Sequence, residues 1–312
     1  MAINKAMLIA LKALSYQDLD LKKTYKFQRQ MTNVAHPYLR PLYQMWDHKV
    51  SAGDYEIPVR IFIPSEKETV NKILIFYHGG GWVIGNIDSY TNVCSNMAKQ
   101  TGQIVVSVDY RLAPEYRFPT ALEDCYAVTR EIFTDATLLD VKQKDITLIG
   151  DSAGGNLAAA VSLMARDRGE FLPTKQILLY PATGSDHSDT SPYRSLIEYG
   201  TDFLLTAKRI NDFMDLYKSC EEDMINPYLA PIMSKDLSKQ PKTLIITAQY
   251  DPLRDEGELY GKKLYEFGNE VEVFRMKNAL HGFITLPKHF IHVKQSYELI
   301  NRFLNADRNN LT

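Results

Sequence analysis

The sequence predicts an α/β fold in which helices flank a mostly parallel central sheet. Short, almost continuously apolar segments alternate with helices along most of the 312 residues, which is typical of strands covered on both faces. A hydrophobic content of 45% is sufficient for a large core. The length alone also allows two domains. Our interpretation is a single domain over residues 1–312 with an inserted helical cap.

The chain is expected to begin with an amphipathic helix, because six apolar residues share one helical face: Ile3, Ala6, Met7, Ala10, Leu11 and Leu14. Lys12 interrupts this apolar segment and no small-residue cleavage site follows, so a packed helix is favoured over a signal peptide. Two extended segments are expected next, near Tyr43–Val50 and Tyr55–Pro64.

Six buried strands should follow, each a short apolar run bounded by helices or loops. The strands are KILIFYH (Lys72–His78), QIVVSVDY (Gln103–Tyr110), ITLIG (Ile146–Gly150), QILLYP (Gln176–Pro181), TLIITA (Thr243–Ala248) and VEVFRM (Val271–Met276). The helices are expected near Asp88–Thr101, Pro119–Thr134, Gly154–Asp167, Asp255–Phe267 and Lys288–Ala306. Strands that are separated by helices in this way pair in parallel.

One long insertion interrupts the alternation between the strands that begin at Gln176 and Thr243. It contains a predicted helix, which Thr206 can cap and on which four apolar residues share one face: Ile210, Phe213, Met214 and Tyr217. An insertion of this length is seldom structureless. We therefore expect a cap formed by residues 1–42 and 183–225. Its aromatic residues can line a substrate pocket or form cap core: Tyr25, Phe27, Phe203, Phe213 and Tyr217.

The charge and the cysteines exclude several classes of partner. A net charge of −2 and a pI near 6.4 give no excess of basic residues for nucleic acid or an anionic membrane. A membrane-spanning helix needs about 18 consecutive apolar residues, and no apolar run in this sequence is that long. Cys94, Cys125 and Cys220 are odd in number and far apart. We expect free thiols, a cytoplasmic location and no metal site.

The segment GDSAG, Gly150–Gly154, matches G-x-S-x-G and joins a predicted strand to a predicted helix. A serine on such a strained turn projects its hydroxyl above the sheet, and flanking glycines avoid collisions with neighbouring backbone. The following helix N-terminus offers unpaired N–H groups to a developing oxyanion. Glycine and serine also occur in ordinary loops, so Ser152 needs partners before it indicates a nucleophile.

The segment FYHGGGW, Phe76–Trp82, places three glycines directly after a strand. Such a loop can bring bare N–H groups close to a substrate, and lipases and esterases carry an oxyanion loop at this position. A flexible surface loop is the alternative. We favour an oxyanion loop here, and which two of Gly79, Gly80 and Gly81 would donate is left open. Trp82 is a candidate wall of the substrate pocket.

Two further residues complete a set in the chain order Ser152, Asp251, His281. Asp251 comes just after a strand, and His281 lies in the loop after the last strand. This order is the one found in α/β-hydrolases. Asp255 and Glu256 compete for the role of the acid, but they open a helix and are better explained by its dipole.

The remaining histidines have simpler explanations. His78 precedes the serine in the chain and is expected to be structural, with its ring ordering the glycine loop. His289 and His292 are three residues apart on the predicted last helix. We expect both to be solvated, because no carboxylate or cysteine at metal-ligand spacing accompanies them.

Six segments together resemble the hormone-sensitive lipase-like family of α/β-hydrolases, which includes bacterial carboxylesterases and acetyl esterases. They are HGGGW (His78–Trp82), DYRLAPEYRFP (Asp109–Pro119), GDSAGG (Gly150–Gly155), NPYLAPI (Asn226–Ile232), DPLRDEG (Asp251–Gly257) and HGF (His281–Phe283). The resemblance implies the α/β-hydrolase fold, with Ser152 as nucleophile, His281 as base and Asp251 as acid. It also implies an oxyanion hole from the glycine loop, with Gly80 and Gly81 favoured as donors, together with the Ala153 N–H. In the second segment, an ion-pair network is expected among Asp109, Arg111 and Glu115.

The function that we predict is a serine carboxylesterase that hydrolyses short-chain esters through an acyl-enzyme, without a cofactor. Two alternatives stay open: a small-amide deacylase with the same triad, and a non-catalytic receptor on the same fold. An example of such a receptor is the gibberellin receptor, which resembles this family but lacks the catalytic histidine. In this sequence His281 is present. The expected partner is a small-molecule ester, with no nucleic acid and no membrane. A homodimer is left open.

Overall fold

The computed structural model describes residue 12 and residues 20–35, 45–64, 72–135 and 141–306. In these ranges the strands are β1 (Met45–Ala52), β2 (Tyr55–Phe62), β3 (Ile73–Tyr77), β4 (Ile104–Val108), β5 (Ile146–Asp151), β6 (Lys175–Leu179), β7 (Lys242–Tyr250) and β8 (Val271–Leu280). They form one sheet in the order β1-β2-β4-β3-β5-β6-β7-β8. β1 and β2 pair antiparallel, as do β2 and β4, and all other neighbours are parallel. The predicted fold is confirmed.

The α-helices of the described ranges are α1 (Leu21–Ala35), α2 (Thr91–Thr101), α3 (Thr120–Thr134), α4 (Ala153–Arg168), α5 (Arg194–Tyr199), α6 (Ala207–Tyr217), α7 (Arg254–Glu266) and α8 (Ile291–Asn305). None of them is long and apolar enough to cross a membrane. His289 precedes α8, so its predicted place on the last helix is wrong. Apart from Lys12, the helix predicted near the start of the chain lies outside the described residues.

The centre of the sheet is buried on both faces, because β3, β4 and β5 send alternate side chains to opposite sides and all of these residues are buried. In β3, Ile73, Ile75 and Tyr77 belong to one core, and Leu74 and Phe76 belong to the other. Helices α3 and α4 cover the first core, and α2 and α8 cover the second. The loops at the carboxyl ends of the strands are therefore where functional side chains can project.

The insertion between β6 and β7 carries α5 and α6, and α6 packs against α1. The Thr206 hydroxyl accepts the Arg209 N–H at 3.1 Å, which confirms the predicted helix cap. The apolar face of this helix is buried as predicted, at Ile210, Phe213, Met214 and Tyr217. Much of the other predicted cap segment, residues 1–42, lies outside the described residues, so α1 is its main described part.

The ion pairs near DYRLAPE differ from the prediction. Arg111 pairs with Asp124 of α3 at 2.6 Å, and Glu115 pairs with Arg29 of α1 at 2.9 Å. The Asp109 Oδ1 accepts the N–H of Ile87, which lies between β3 and α2, at 3.1 Å. The network predicted among Asp109, Arg111 and Glu115 is therefore wrong, because each side chain faces a different neighbour. The segment is braced, but to α3 and α1.

Candidate active site

Ser152 lies on the turn between β5 and α4, with φ 56° and ψ −118°. Residues with a side chain rarely adopt a positive φ, so this backbone is strained. The turn excludes side chains beside the serine. A Cβ on Gly150 would lie 2.1 Å from the carbonyl oxygen of Gly154, and one on Gly154 would lie 1.9 Å from that of Tyr77. The glycines of G-x-S-x-G are thus required by close backbone contact.

His281 bridges Ser152 and Asp251. Its Nε2 lies 2.9 Å from the Ser152 Oγ, and its Nδ1 lies 2.7 Å from the Asp251 Oδ2. Asp251 is fully buried, and its Oδ1 accepts the Leu253 N–H at 2.9 Å. An Nδ1–H that donates to the carboxylate leaves Nε2 free to accept the serine proton. The three residues directly follow β5, β7 and β8, whose carboxyl ends lie at one edge of the sheet.

The competing carboxylates lie elsewhere, as predicted, in the first turn of α7. The carboxylate of Asp255 accepts the Ser195 N–H at 2.8 Å. Glu256 is fully buried and has a function that the helix dipole does not explain. It accepts the Thr183 N–H at 2.7 Å and lies 2.8 Å from the Nε2 of His187. Glu256 therefore holds the loop that leads into the insertion, which the sequence did not indicate.

The glycine loop lines the same cavity as Ser152. Gly80 and Gly81 have φ values of 114° and 60°. A Cβ on Gly80 would lie 2.1 Å from the Ile84 carbonyl oxygen, and one on Gly81 would lie 2.3 Å from the Phe213 ring. Larger residues are therefore excluded by both conformation and space.

The N–H groups of this loop are engaged differently. The Gly79 N–H donates to the Asp151 Oδ1 at 2.8 Å. Those of Gly80 and Gly81 make no hydrogen bond within the described ranges. Ala153 is the first residue of α4, so its N–H has no partner inside the helix. Three N–H groups near the serine thus remain for a ligand.

Asp151 is the last residue of β5 and directly precedes Ser152; its carboxylate is buried, and the motif alone indicates no role for it. In addition to Gly79, it accepts the hydroxyls of Tyr90 at 3.1 Å and Tyr180 at 3.4 Å. Burial raises the pKa of Asp151 to about 6, although these hydrogen bonds oppose the rise. A buried carboxylate with this pKa, directly next to Ser152 in the chain, is a candidate functional group.

His78 orders the glycine loop, as expected from the sequence. Its Nδ1 lies 2.7 Å from the Gly79 carbonyl oxygen, and its ring stacks on Tyr110 with centroids 4.2 Å apart. The side chain is fully buried, and burial lowers the pKa of His78 to about 4. The imidazole is therefore neutral near pH 7, and its role is to pack against Tyr110 and to hold the glycine loop.

A cavity of about 250 Å³ lies at the Ser152 hydroxyl. Its walls are mainly apolar and include Trp82, Ile84, Leu205, Phe213, Met214 and Leu253. Trp82 lines it as expected and stacks on Tyr217 with centroids 4.5 Å apart. Among the other cap aromatics, Phe213 lines this cavity, Phe203 stacks on Tyr250 and Phe27 is exposed. In the described part of the chain, no three His, Cys, Asp or Glu residues are grouped as metal ligands.

A mostly parallel sheet that carries serine, aspartate and histidine in this chain order defines an α/β-hydrolase. Residues 74–285 match a family model described as alpha/beta hydrolase fold. The chain is 38% identical to an arylesterase of Saccharolobus solfataricus, over 80% of this chain and 79% of that one. It is 32% identical to an ethyl acetate hydrolase of Pseudomonas putida, over 74% and 73%.

The solved structure of a hyperthermophilic esterase from the archaeon Pyrobaculum calidifontis has the same fold. It matches with a TM-score of 0.85 and 34% identity, and the match covers 99% of both chains. The chain therefore belongs to the hormone-sensitive lipase-like carboxylesterase family of α/β-hydrolases.

Proposed function

We propose that the protein hydrolyses short-chain carboxylic esters through an acyl-enzyme on Ser152. Its family makes it a hydrolase of ester bonds. The main support for this mechanism is the series of hydrogen bonds from Asp251 through His281 to Ser152. The Ser152 end of this series lines a small apolar cavity.

Acylation begins when the Ser152 Oγ attacks the ester carbonyl carbon. The His281 Nε2 takes the hydroxyl proton and then gives it to the departing alcohol oxygen. The Asp251 carboxylate fixes the imidazole tautomer and stabilises the imidazolium. Water then attacks the acyl-enzyme through the same base and releases the acid. Protein groups and water account for every step.

The tetrahedral oxyanion is bound by the N–H groups of Gly80, Gly81 and Ala153. Gly79 is set aside as a donor because its N–H is already bonded to Asp151. These donors are fixed before the reaction, so they stabilise the developing charge without reorganisation. Loss of one such donor typically costs about 3 kcal/mol of transition-state stabilisation.

The apolar cavity accommodates the acyl chain, with Trp82 and Phe213 as walls. Each methylene buried there gains about 0.8 kcal/mol until the cavity is full, and longer chains then collide with the walls. We further propose that residues 1–42 and 183–225 form the cap of a single domain and close this cavity. The natural substrate is then a small ester dissolved in the cytoplasm.

The test is kcat/KM for p-nitrophenyl esters from acetate to palmitate at one pH, with p-nitroacetanilide as the matched amide. We expect a maximum at roughly two to six carbons, little amide cleavage and no turnover by Ser152→Ala. A maximum at long chains would show that the cap acts as a lipase lid. Preference for the anilide would indicate a deacylase, and no turnover of any ester would indicate a receptor.

A further inference from the structure

The carboxylate of Asp151 has no part in the proton transfers described above, yet it is one of the most buried acids in the described ranges. It ends β5 and directly precedes Ser152. Gly79 comes two residues after β3, the neighbouring parallel strand. The nucleophile turn and the glycine loop therefore leave adjacent strands side by side, and Asp151 lies where they meet.

The contacts of Asp151 join these two loops. Its Oδ1 accepts the Gly79 N–H at 2.8 Å, so it binds the first residue of the glycine loop through the backbone. A backbone contact of this kind fixes the peptide orientation, which a side-chain contact would not. The next two peptides carry the N–H groups of Gly80 and Gly81, and both glycines line the cavity at Ser152.

The second oxygen is held so that the carboxylate cannot rotate away. The Asp151 Oδ2 accepts the Tyr90 hydroxyl at 3.1 Å and the Tyr180 hydroxyl at 3.4 Å. Tyr180 also lies edge-on to His281, with ring centroids 4.8 Å apart. The same carboxylate is thus connected to the glycine loop, the serine turn and the packing of the base.

We propose that Asp151 is a positioning residue that aims the N–H groups of Gly80 and Gly81 at the oxyanion by holding the Gly79 peptide. The inference rests on the proposed function, because it takes Ser152 as the nucleophile and the glycine loop as the oxyanion hole. Burying a carboxylate opposes folding unless hydrogen bonds compensate. Here those bonds connect two loops whose relative position determines transition-state stabilisation.

Two variants separate the acceptor from the charge. Asp151→Ala removes the acceptor and frees the Gly79 peptide, whereas Asp151→Asn keeps a carbonyl oxygen of the same shape. We expect Asp151→Ala to lower kcat by about 10²–10³-fold with KM changed less than about threefold. Asp151→Asn should retain kcat within about tenfold of the wild type. Asp124→Asn is the matched control, because Asp124 lies on α3, is about as buried as Asp151 and pairs with Arg111 instead of the glycine loop.

The decisive measurement is the inhibition constant of an alkyl trifluoromethyl ketone. The Ser152 Oγ adds to the carbonyl carbon of this ketone and forms a hemiketal. The carbonyl electron pair becomes the oxyanion, and the serine proton passes to His281. A transition-state analogue weakens in parallel with kcat/KM, whereas an amide isostere of the substrate measures ground-state binding. For Asp151→Ala we expect a ketone Ki weaker by about 10²-fold or more and an unchanged amide Ki. Asp124→Asn should change neither the ketone Ki nor the amide Ki.

A double-mutant cycle keeps the proposal testable even if Asp151→Ala folds poorly. A Cβ on Gly79 would lie 2.7 Å from the Asp151 Oδ2, and 3.0 Å from both the Asp151 carbonyl oxygen and the Tyr90 hydroxyl. In the protein that keeps Asp151, Gly79→Ala should therefore displace the carboxylate and weaken ketone binding. In the Asp151→Asn background this shortest contact persists, whereas Asp151→Ser removes it and leaves the two contacts at 3.0 Å. Gly79→Ala should therefore weaken ketone binding less in the Asp151→Ser background than in the presence of Asp151, so the two changes are non-additive.

The proposal is overturned if Asp151→Ala and Asp151→Asn lower kcat equally, or if the ketone and amide inhibitors weaken by the same factor. It is also overturned if Gly79→Ala is additive with Asp151→Ser. These results would leave the proposed function intact as long as wild-type enzyme still forms the Ser152 hemiketal. Absence of that hemiketal would instead contradict the proposed function.

Discussion

Asp151→Asn is expected to stabilise the folded protein at pH 8 and to lose about half of this gain by pH 5. Asp151 is 2% exposed, and burial raises its pKa from 3.8 to about 6. The folded state therefore binds the proton more tightly than the unfolded state. The ionised carboxylate destabilises the fold at pH values above 6, and this effect disappears as the pH falls from 6 toward 3.8.

The magnitude follows from this difference in pKa. At about 1.36 kcal/mol for each tenfold change in proton affinity, it corresponds to about 3 kcal/mol at pH 8. Asparagine is a neutral isostere: its carbonyl oxygen can accept the Gly79 N–H, and its amide can donate to the Tyr90 and Tyr180 hydroxyls. The expected gain is thus up to about 3 kcal/mol at pH 8 and about half of that at pH 5.

The assay is urea unfolding of wild type and variant at both pH values, with Asp124→Asn as the matched control. Asp124→Asn should destabilise the fold at pH 8 and at pH 5, because it leaves the buried side of Arg111 without its partner. If Asp151→Asn destabilises equally at both pH values, the hydrogen bonds outweigh desolvation, and the reasoning about the raised pKa is refuted.

Three further substitutions test the site and its walls. Asp251→Asn should lower kcat by about 10⁴-fold, the scale known for the same change in a serine protease, and far more than Asp255→Asn; the reverse order would identify Asp255 as the acid. Gly154→Ala should abolish soluble, folded protein, because its Cβ would lie 1.9 Å from the Tyr77 carbonyl oxygen; normal circular dichroism and melting would contradict this. Phe213→Ala should move the optimum of kcat/KM to longer acyl chains, and an unchanged optimum would place the acyl group elsewhere.

Much of the sheet could be predicted because its strands are apolar on both faces. The β3 residues Ile73–Tyr77 alternate between two cores, so the whole segment reads as a continuous apolar run. The cap helix α6 was predictable for a related reason, since Thr206 and one apolar face mark it. Residue order along the chain likewise indicated Ser152, Asp251 and His281 as a group.

Side-chain partners that are distant in sequence could not be predicted in this way. Glu115 binds Arg29, which is 86 residues earlier in the chain, so the local spacing with Asp109 and Arg111 was misleading. Glu256 occupies a helix N-terminus, but its buried contacts with the loop at Thr183 depend on the packing of α7 against the strand ends. A single sequence carries no local signal for such contacts.

Ser152 is expected to be activated by His281 and to become acylated during turnover. Intact-mass spectrometry and peptide mapping after treatment with a fluorophosphonate test this expectation most directly. We expect one adduct per chain on Ser152, complete loss of esterase activity with its formation, no adduct on Ser152→Ala and much slower labelling of His281→Ala. An adduct on another residue, or esterase activity that survives full modification of Ser152, would show that Ser152 is not the nucleophile.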